Sequence, residues 1–415
     1  MIKKNILSYF VSNVLSAAIP FFLIPIITRY LTVEEYGQVA MFLILINIFS
    51  VFVGFRCVGA ATRKHYDLKS NDAVAYNINC IYVMILTLPF CFLGVYLFQS
   101  EFISYFSVPI TWVYIAIASS IAIFFNELRL TQWQVRNKAI AYGFFQVSTV
   151  VVTFALSVLA VFNDFGGEGR IVAQFLSVSL MSTFAIYSLF HTRVISISRF
   201  SNLYIKDIII FSVPLLPHLS FGLLISSYDR FLINQELGLH SAGLYMAAIQ
   251  LGFALKVVFD SVNKVAVPKI YEVLSKDCID DKQLLVKNTY IYMALLLSVF
   301  PLTFVLSEFA IKVILGQKYI VLTEFIHWVF LAQSFNGIQT LLSSYLTYSR
   351  KNATISFITV LTGLMNVPLM FWLISTHELL GVALSFALSS LIRLLLTFYF
   401  VQKEKLVPWS LGYEF

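Results

Sequence analysis

The sequence predicts an all-α membrane protein: twelve transmembrane helices in two six-helix lobes, related by a pseudo-two-fold axis along the membrane normal. Three observations predict it. The 415 residues are 59% hydrophobic and only 12% charged, too few charges to cover a water-facing surface. Apolar runs of membrane-spanning length recur from end to end. Landmarks of the first half return, in order, in the second.

The runs lie at 6–28, 38–60, 77–99, 109–128, 139–162, 171–192, 207–228, 241–263, 288–310, 323–346, 353–374 and 378–401. Each reaches the roughly 20 residues that cross the hydrocarbon layer. The first follows Lys3 and Lys4, is too long for a signal-peptide core and lacks a small-x-small cleavage site. It is expected to stay in the mature protein.

Lysine and arginine set the orientation. The N-terminus, every second loop and the tail hold 20 of them, against 5 in the alternate loops. Cationic loops stay on the cytoplasmic side, so both termini are expected in the cytoplasm. The net charge of +7 is then mostly topogenic, and no nucleic-acid partner is expected. The longest connection, 264–287, has about 24 residues, room for no soluble catalytic domain. A membrane enzyme with a large external loop is disfavoured on that ground.

The repeat begins with "ITRYLTVEEYGQVA" from Ile27 and "SSYDRFLINQELGLHSAGLY" from Ser226. Arg29 matches Arg230 and Gly37 matches Gly243, the latter at an offset of 206. Asn77 matches Asn288, Pro89 matches Pro301, Arg136 matches Arg350 and Gly169 matches Gly381. The halves are residues 1–200 and 201–415. Six spans per half is even, so both halves enter the membrane in the same sense. Such folds place substrate between their halves and work by rocking. Pro20 and Pro25 in the first span, and Pro214 and Pro217 in the seventh, are candidate bends.

"TRYLTVEEYGQVA" and "YDRFLINQELGLHSAGLYMAA" resemble hallmark segments of the polysaccharide-export branch of the multidrug/oligosaccharidyl-lipid/polysaccharide exporter superfamily. More narrowly, the whole chain resembles Wzx-type O-antigen flippases. The resemblance implies a MATE-like fold. It further implies a bacterial cell inner-membrane protein, with alternating-access flipping of an undecaprenyl-diphosphate-linked oligosaccharide from the cytoplasmic to the periplasmic leaflet, in O-antigen and lipopolysaccharide biosynthesis. Partners implied are membrane lipids, a polysaccharide polymerase and a chain-length regulator. A monomer is expected, since the repeat already encloses a site.

Ionisable groups inside spans are costly and mark pathways or partners. Arg56, Lys256 and Arg393 fall within spans 2, 8 and 12, toward their cytoplasmic ends. They are the candidate contacts for a lipid diphosphate, against the bland alternative of cations reaching out to lipid phosphates. Lys256, Asp260 and Asn263 share one helix face by their i, i+4, i+7 spacing, so Lys256 and Asp260 can also neutralise each other. Asp260, Glu127 and His218 are the candidates for ion coupling or charge pairing, with His218 also readable as a hydrogen-bonded core histidine. Arg29, Asp229 and Arg230 form a candidate periplasmic gate or structural corner. Tyr228, Tyr245 and Trp133 are open candidates for stacking on sugars.

No GxxxxGK[ST] occurs, so no nucleotide motor is expected. The glycines of "FGGEGR" read as a turn rather than a phosphate cradle. No HExxH, G-x-S-x-G or CxxC is present, and no acid pair clusters within a span, so no enzyme activity, metal or cofactor is expected. The four cysteines read as small buried hydrophobes. "NAT" at Asn352 matches a glycosylation acceptor but falls on the cytoplasmic side. The rival readings are a cation-coupled drug antiporter of the same fold, which would favour acidic groups in its cavity, and a membrane enzyme acting on lipid-linked sugars.

Overall fold

The computed structural model describes residues 2–65, 67–196, 200–276 and 278–409, and no strand occurs among them. The helices are α1 (Ile2–Tyr30), α2 (Val33–Phe52), α3 (Val58–Lys64), α4 (Ser70–Leu97), α5 (Gln99–Phe106), α6 (Ile110–Val135), α7 (Ala139–Phe162), α8 (Gly166–His191), α9 (Asn202–Ser212), α10 (Leu216–Lys276), α11 (Ile279–Leu297), α12 (Val299–Ile314), α13 (Ile326–Tyr348) and α14 (Asn352–Lys403). Among the described residues, 9 helical segments are long and apolar enough to cross a membrane. The protein is therefore a multi-pass membrane protein. The division into twelve spans remains an expectation from the sequence.

Two helices exceed any single crossing. α10 has 61 residues, about 90 Å at the α-helical rise. It breaks at Gly238, whose φ of 79° and ψ of 176° are non-helical. α14 has 52 residues and breaks at Glu378, with φ 51° and ψ −130°. The prolines of the two halves behave differently. Pro20 and Pro25 lie inside a continuous α1. Pro214 sits in a one-turn 3-10 segment, Val213–Leu215, that separates α9 from α10. Proline lacks the N–H that an α-helix needs there, so the seventh apolar run is built from two helices.

The distribution of side chains inverts that of a water-soluble protein. Phe90, Phe144 and Phe309 are more than 70% exposed, whereas Ser119, Asn79 and Gln132 are fully buried. An apolar exterior and a hydrogen-bonded polar interior suit a lipid solvent. Many interior hydroxyls return to their own helix: Ser119, Thr149 and Thr362 each donate to the carbonyl four residues back. Of the cysteines, Cys57, Cys80 and Cys91 are buried and Cys278 is exposed.

The chain packs as two compact units, Met1–Gly243 and Leu244–Phe415. In the first, α1 packs on α7, and α6 packs on α7, α8 and α2. Trp133, Phe145 and Ala185 make a small core there, with the Trp133 and Phe145 rings 5.5 Å apart. In the second, α13 packs on α14, α11 and α12. Its core gathers Phe259, Leu274, Val286, Leu342 and Tyr345, closed by Trp409. Tyr290 donates a 2.7 Å hydrogen bond to the Trp409 carbonyl, tying the C-terminal segment down.

Candidate functional site

The apolar run containing Arg56 does not form one helix. α2 stops at Phe52, and Gly54, Phe55 and Arg56 have φ of 71°, 49° and 53°. In an unbroken helix the Gly54 N–H would donate to the carbonyl of Ser50. It instead donates to Thr87 Oγ1 of α4 at 2.9 Å. A Cβ on Gly54 would lie 2.8 Å from the Phe124 ring, so glycine is required by contact as well as by φ. Left-handed backbone at a non-glycine residue costs about 1–2 kcal/mol. Two such residues in succession mark a place where packing holds strain, as functional sites do. Cys57 and Cys80 fasten the far side of the break, each Sγ donating to the other's carbonyl at 3.5 and 3.7 Å.

This backbone aims Arg56 at α6. Its Nη1 donates to both carboxylate oxygens of Glu127, at 2.6 and 2.8 Å. Each side chain keeps 39% of its surface exposed, so the pair is open to an incoming anion. Sequence reading places Arg56 and Glu127 in different roles and does not join them. The usable signal is depth: both sit low in spans that run in the same direction.

In the second unit the helix around Lys256 is intact. Lys256 Nζ donates to Asp260 Oδ2 at 2.7 Å, with exposures of 51% and 40%. This is the self-neutralising pair that the i, i+4 spacing allows. Asn263, one turn on, is buried with both side-chain polar atoms unpartnered. Arg393 donates from Nε to Thr362 Oγ1 at 3.1 Å within α14. No hydrogen bond or ion pair joins Lys256 to Arg393 among the described residues. The side chain of His218 lies outside the described residues.

The Asp229–Arg230 stretch is helical, and Asp229 Oδ1 accepts from the Arg230 backbone N–H at 2.8 Å. The chain turns later, at Gly238. Arg29 lies at the end of α1, beside the turn into α2. That turn is a capping box: Glu35 N–H donates to Thr32 Oγ1 at 3.1 Å, and Thr32 N–H donates to Glu35 Oε2 at 2.8 Å. The other oxygen of Glu35 accepts from the Gly167 N–H at 3.0 Å. The glycine turn of "FGGEGR" thus holds a protein carboxylate.

Just beyond, the repeat meets itself. Glu34 and His240 pair at 2.6 Å. A Cβ on Gly37 would strike the Leu239 carbonyl oxygen, and a Cβ on Gly243 would strike that of Val33. Val33 and Leu239, Glu34 and His240, and Gly37 and Gly243 are each matched by the same 206-residue offset. The crossing is two-fold symmetric in sequence as well as in contact. The sequence singles out the two glycines, but a repeat comparison alone does not reveal that matched residues touch.

Beside α2 lies an apolar cavity of about 350 Å³, lined by Ile44, Ile48, Phe52, Phe106, Tyr228 and Phe231. Phe52, the last residue of α2 before the break, is among its lining residues. Of the aromatic candidates, Tyr228 lines this cavity. Trp133 is packed under Arg129, and Tyr245 is fully buried.

A family model described as "Polysaccharide biosynthesis protein" matches residues 2–274, well over half the chain. The chain belongs to that family. A protein of the Lsg locus of Haemophilus influenzae is 27% identical, over 88% of this chain and 89% of its own length. Among solved structures, the lipid II flippase MurJ in an inward closed conformation superposes with a TM-score of 0.76 at 16% identity, covering 95% of this chain and 87% of MurJ. An inward-facing multidrug-resistance MATE transporter of the MOP superfamily gives 0.63 at 14% identity, covering 95% of this chain and 94% of that one. At these identities the likeness is one of fold: the chain has the MurJ and MATE architecture, as expected from its sequence.

Proposed function

We propose that this protein is a flippase for lipid-linked polysaccharide repeat units, without enzymatic activity. In the finer reading it moves an undecaprenyl-diphosphate-linked unit of the O-antigen class from the cytoplasmic to the periplasmic leaflet of the bacterial inner membrane, by alternating access. Family membership supports the polysaccharide role, and the MurJ-like fold supports flipping of a lipid-linked sugar. The observation that carries the reading is Arg56: a cation at a strained helix break inside a span, half-exposed, and held by one carboxylate.

A diphosphate entering there competes with Glu127 for the guanidinium, whose planar fork suits phosphate oxygens. The apolar cavity that Phe52 lines suits a stretch of prenyl chain. Lys256 and Arg393 are the further cations, each released from a weak internal partner. Glu127 and Asp260, freed of their cations, are the groups that can take up a proton or sodium ion, and His218 is a third candidate. Arg29, Asp229 and Arg230 serve the outer corner, with the Glu34–His240 crossing beside them.

The test is deletion followed by localisation of the lipid-linked oligosaccharide. It is expected to accumulate on the cytoplasmic face and to reach the outer face when the gene is restored. Normal surface polysaccharide in the deletion strain removes the proposal. Proteoliposomes under an imposed pH gradient or voltage test coupling: flipping indifferent to both excludes Glu127, Asp260 and His218 from that role.

A further inference from the structure

α6 carries an arginine that the flippase reading leaves unused. Arg129 is 2% exposed. It lies two residues past Glu127, about 200° further round the helix, and so faces away from the Arg56 pair. Its Nη1 donates to Thr192 Oγ1 at the end of α8, at 3.1 Å, and its guanidinium lies 4.1 Å from the Trp133 ring centroid. Its Nε is buried without a partner.

Arg136, two turns along the same face, is half-buried, and its Nε is also buried without a partner. The charges of Arg129 and Arg136 act on each other, and that of Arg136 acts on His65 at the end of α3. Burial, then the Arg136 charge, holds His65 below the ordinary imidazole value. Gln132, between the two arginines, is fully buried. It donates to Asn77 Oδ1 of α4 at 3.2 Å, which leaves its own carbonyl oxygen unpartnered. No ion pair to either arginine occurs among the described residues. Asp207 pairs with Tyr76 and Lys64, and Asp72 with Tyr204.

Burying a guanidinium without a counter-charge costs several kcal/mol. Two of them two turns apart on one helix face, each with an unanswered Nε donor, ask for a bound anion. The place fits as well. Arg129 and Arg136 lie at the Lys- and Arg-rich ends of α3, α4, α6 and α8, where basic pockets between helices take lipid headgroups.

We infer that Arg129 and Arg136, with His65 beside them, form a phosphate-binding site in the first unit, distinct from the Arg56–Glu127 pair. The ligand class is a phosphate ester at the membrane surface, supplied by a phospholipid headgroup or by a soluble phosphate species. Bound phosphate neutralises the arginine pair and braces the ends of α6 and α8 against each other.

The test uses the full-length protein in neutral detergent and follows thermal unfolding. Short-chain phosphatidylglycerol, inorganic phosphate and pyrophosphate are added separately, with short-chain diacylglycerol as the phosphate-free control. Saturating ligand is expected to raise the Tm by about 3 °C or more. A rise with phosphatidylglycerol alone assigns the site to lipid. An equal rise with phosphate or pyrophosphate assigns it to a soluble species. Removal of Arg129 risks misfolding, so Arg136→Gln, at the helix end, carries the test and is expected to lose the shift. No shift with any phosphate compound in the wild type, or an undiminished shift in Arg136→Gln, overturns the inference.

Discussion

At Gly54 the helix of span 2 breaks, whereas at Asp260, the residue 206 positions later, the helix of span 8 runs on unbroken. Both helices carry a cation close to that level. Arg56 must reach across to α6 for its carboxylate, 71 residues away in sequence. Lys256 finds its partner one turn along its own helix. The same repeat therefore holds two kinds of charge pair. One joins two helices from a strained stretch of backbone. The other is local, more exposed, and free to dissolve without moving anything else. A substrate that captures Arg56 releases a contact between spans 2 and 4, and one that captures Lys256 releases only a side chain.

The largest predicted difference between the two regions lies in export. Arg56→Ala is expected to reduce surface polysaccharide at least about 100-fold, in line with the 2–5 kcal/mol lost when a hydrogen-bonded charge pair is truncated. Lys256→Ala is expected to fall less, about 10-fold. Quantifying surface glycan at matched membrane levels of each protein checks the order. Equal losses would break the comparison, and wild-type glycan in both would remove the cations from substrate binding altogether.

Glu127→Gln should come next, and it acts on stability. It leaves Arg56 without a counter-charge inside a span, a cost of about 1–3 kcal/mol. Arg56→Gln combined with Glu127→Gln should cost less than the sum of the single changes, because the pair is lost once. The midpoint of thermal unfolding in detergent reads both. Additive losses would show that the two residues act independently, contrary to their 2.6 Å contact.

The break itself is tested by Gly54→Ala, against Gly238→Ala as its counterpart in the second half. Both glycines have positive φ, but a Cβ on Gly54 meets Phe124 and Met84, whereas a Cβ on Gly238 meets nothing within 4 Å. Backbone strain is about 1–2 kcal/mol in the left-handed region that Gly54 occupies, whereas the φ of 79° and ψ of 176° at Gly238 suit glycine alone. Gly54→Ala should exceed its own backbone strain by the cost of an overpacked core, typically about 1–3 kcal/mol. A loss in Gly54→Ala no larger than about 2 kcal/mol, the strain alone, would mean that the contact with α6 is slack.

Much of this was legible in the sequence. Helices, membrane class and two-fold repeat follow from composition and from ordered landmarks such as Gly37 and Gly243, because apolar length and charge bias act locally. The Lys256–Asp260 pair was legible for the same reason, since i, i+4 spacing fixes geometry within one helix. Contacts between helices were not. Nothing in a run of apolar residues around "VGFRC" says that Gly54, Phe55 and Arg56 turn left-handed, because the cause is Thr87 and Phe124 on other helices. Arg129 reads as one more loop-proximal cation, and only packing shows it buried beneath Thr192 and over Trp133.

The smallest expected effect completes the contrast. An exposed i, i+4 pair in a helix contributes about 0.3–0.5 kcal/mol, and Lys256 and Asp260 are 51% and 40% exposed. Asp260→Asn should therefore leave the unfolding midpoint within about 2 °C of wild type. The same change alters what Lys256 offers a substrate. With its internal competitor gone, the ammonium stays free, so binding of an anionic lipid should tighten while any ion coupling through Asp260 is lost. Flipping in proteoliposomes separates the two: faster equilibration without a gradient, and no response to one. A destabilisation of Asp260→Asn as large as that of Glu127→Gln would show that span 8 uses its charge pair as structurally as span 2 does.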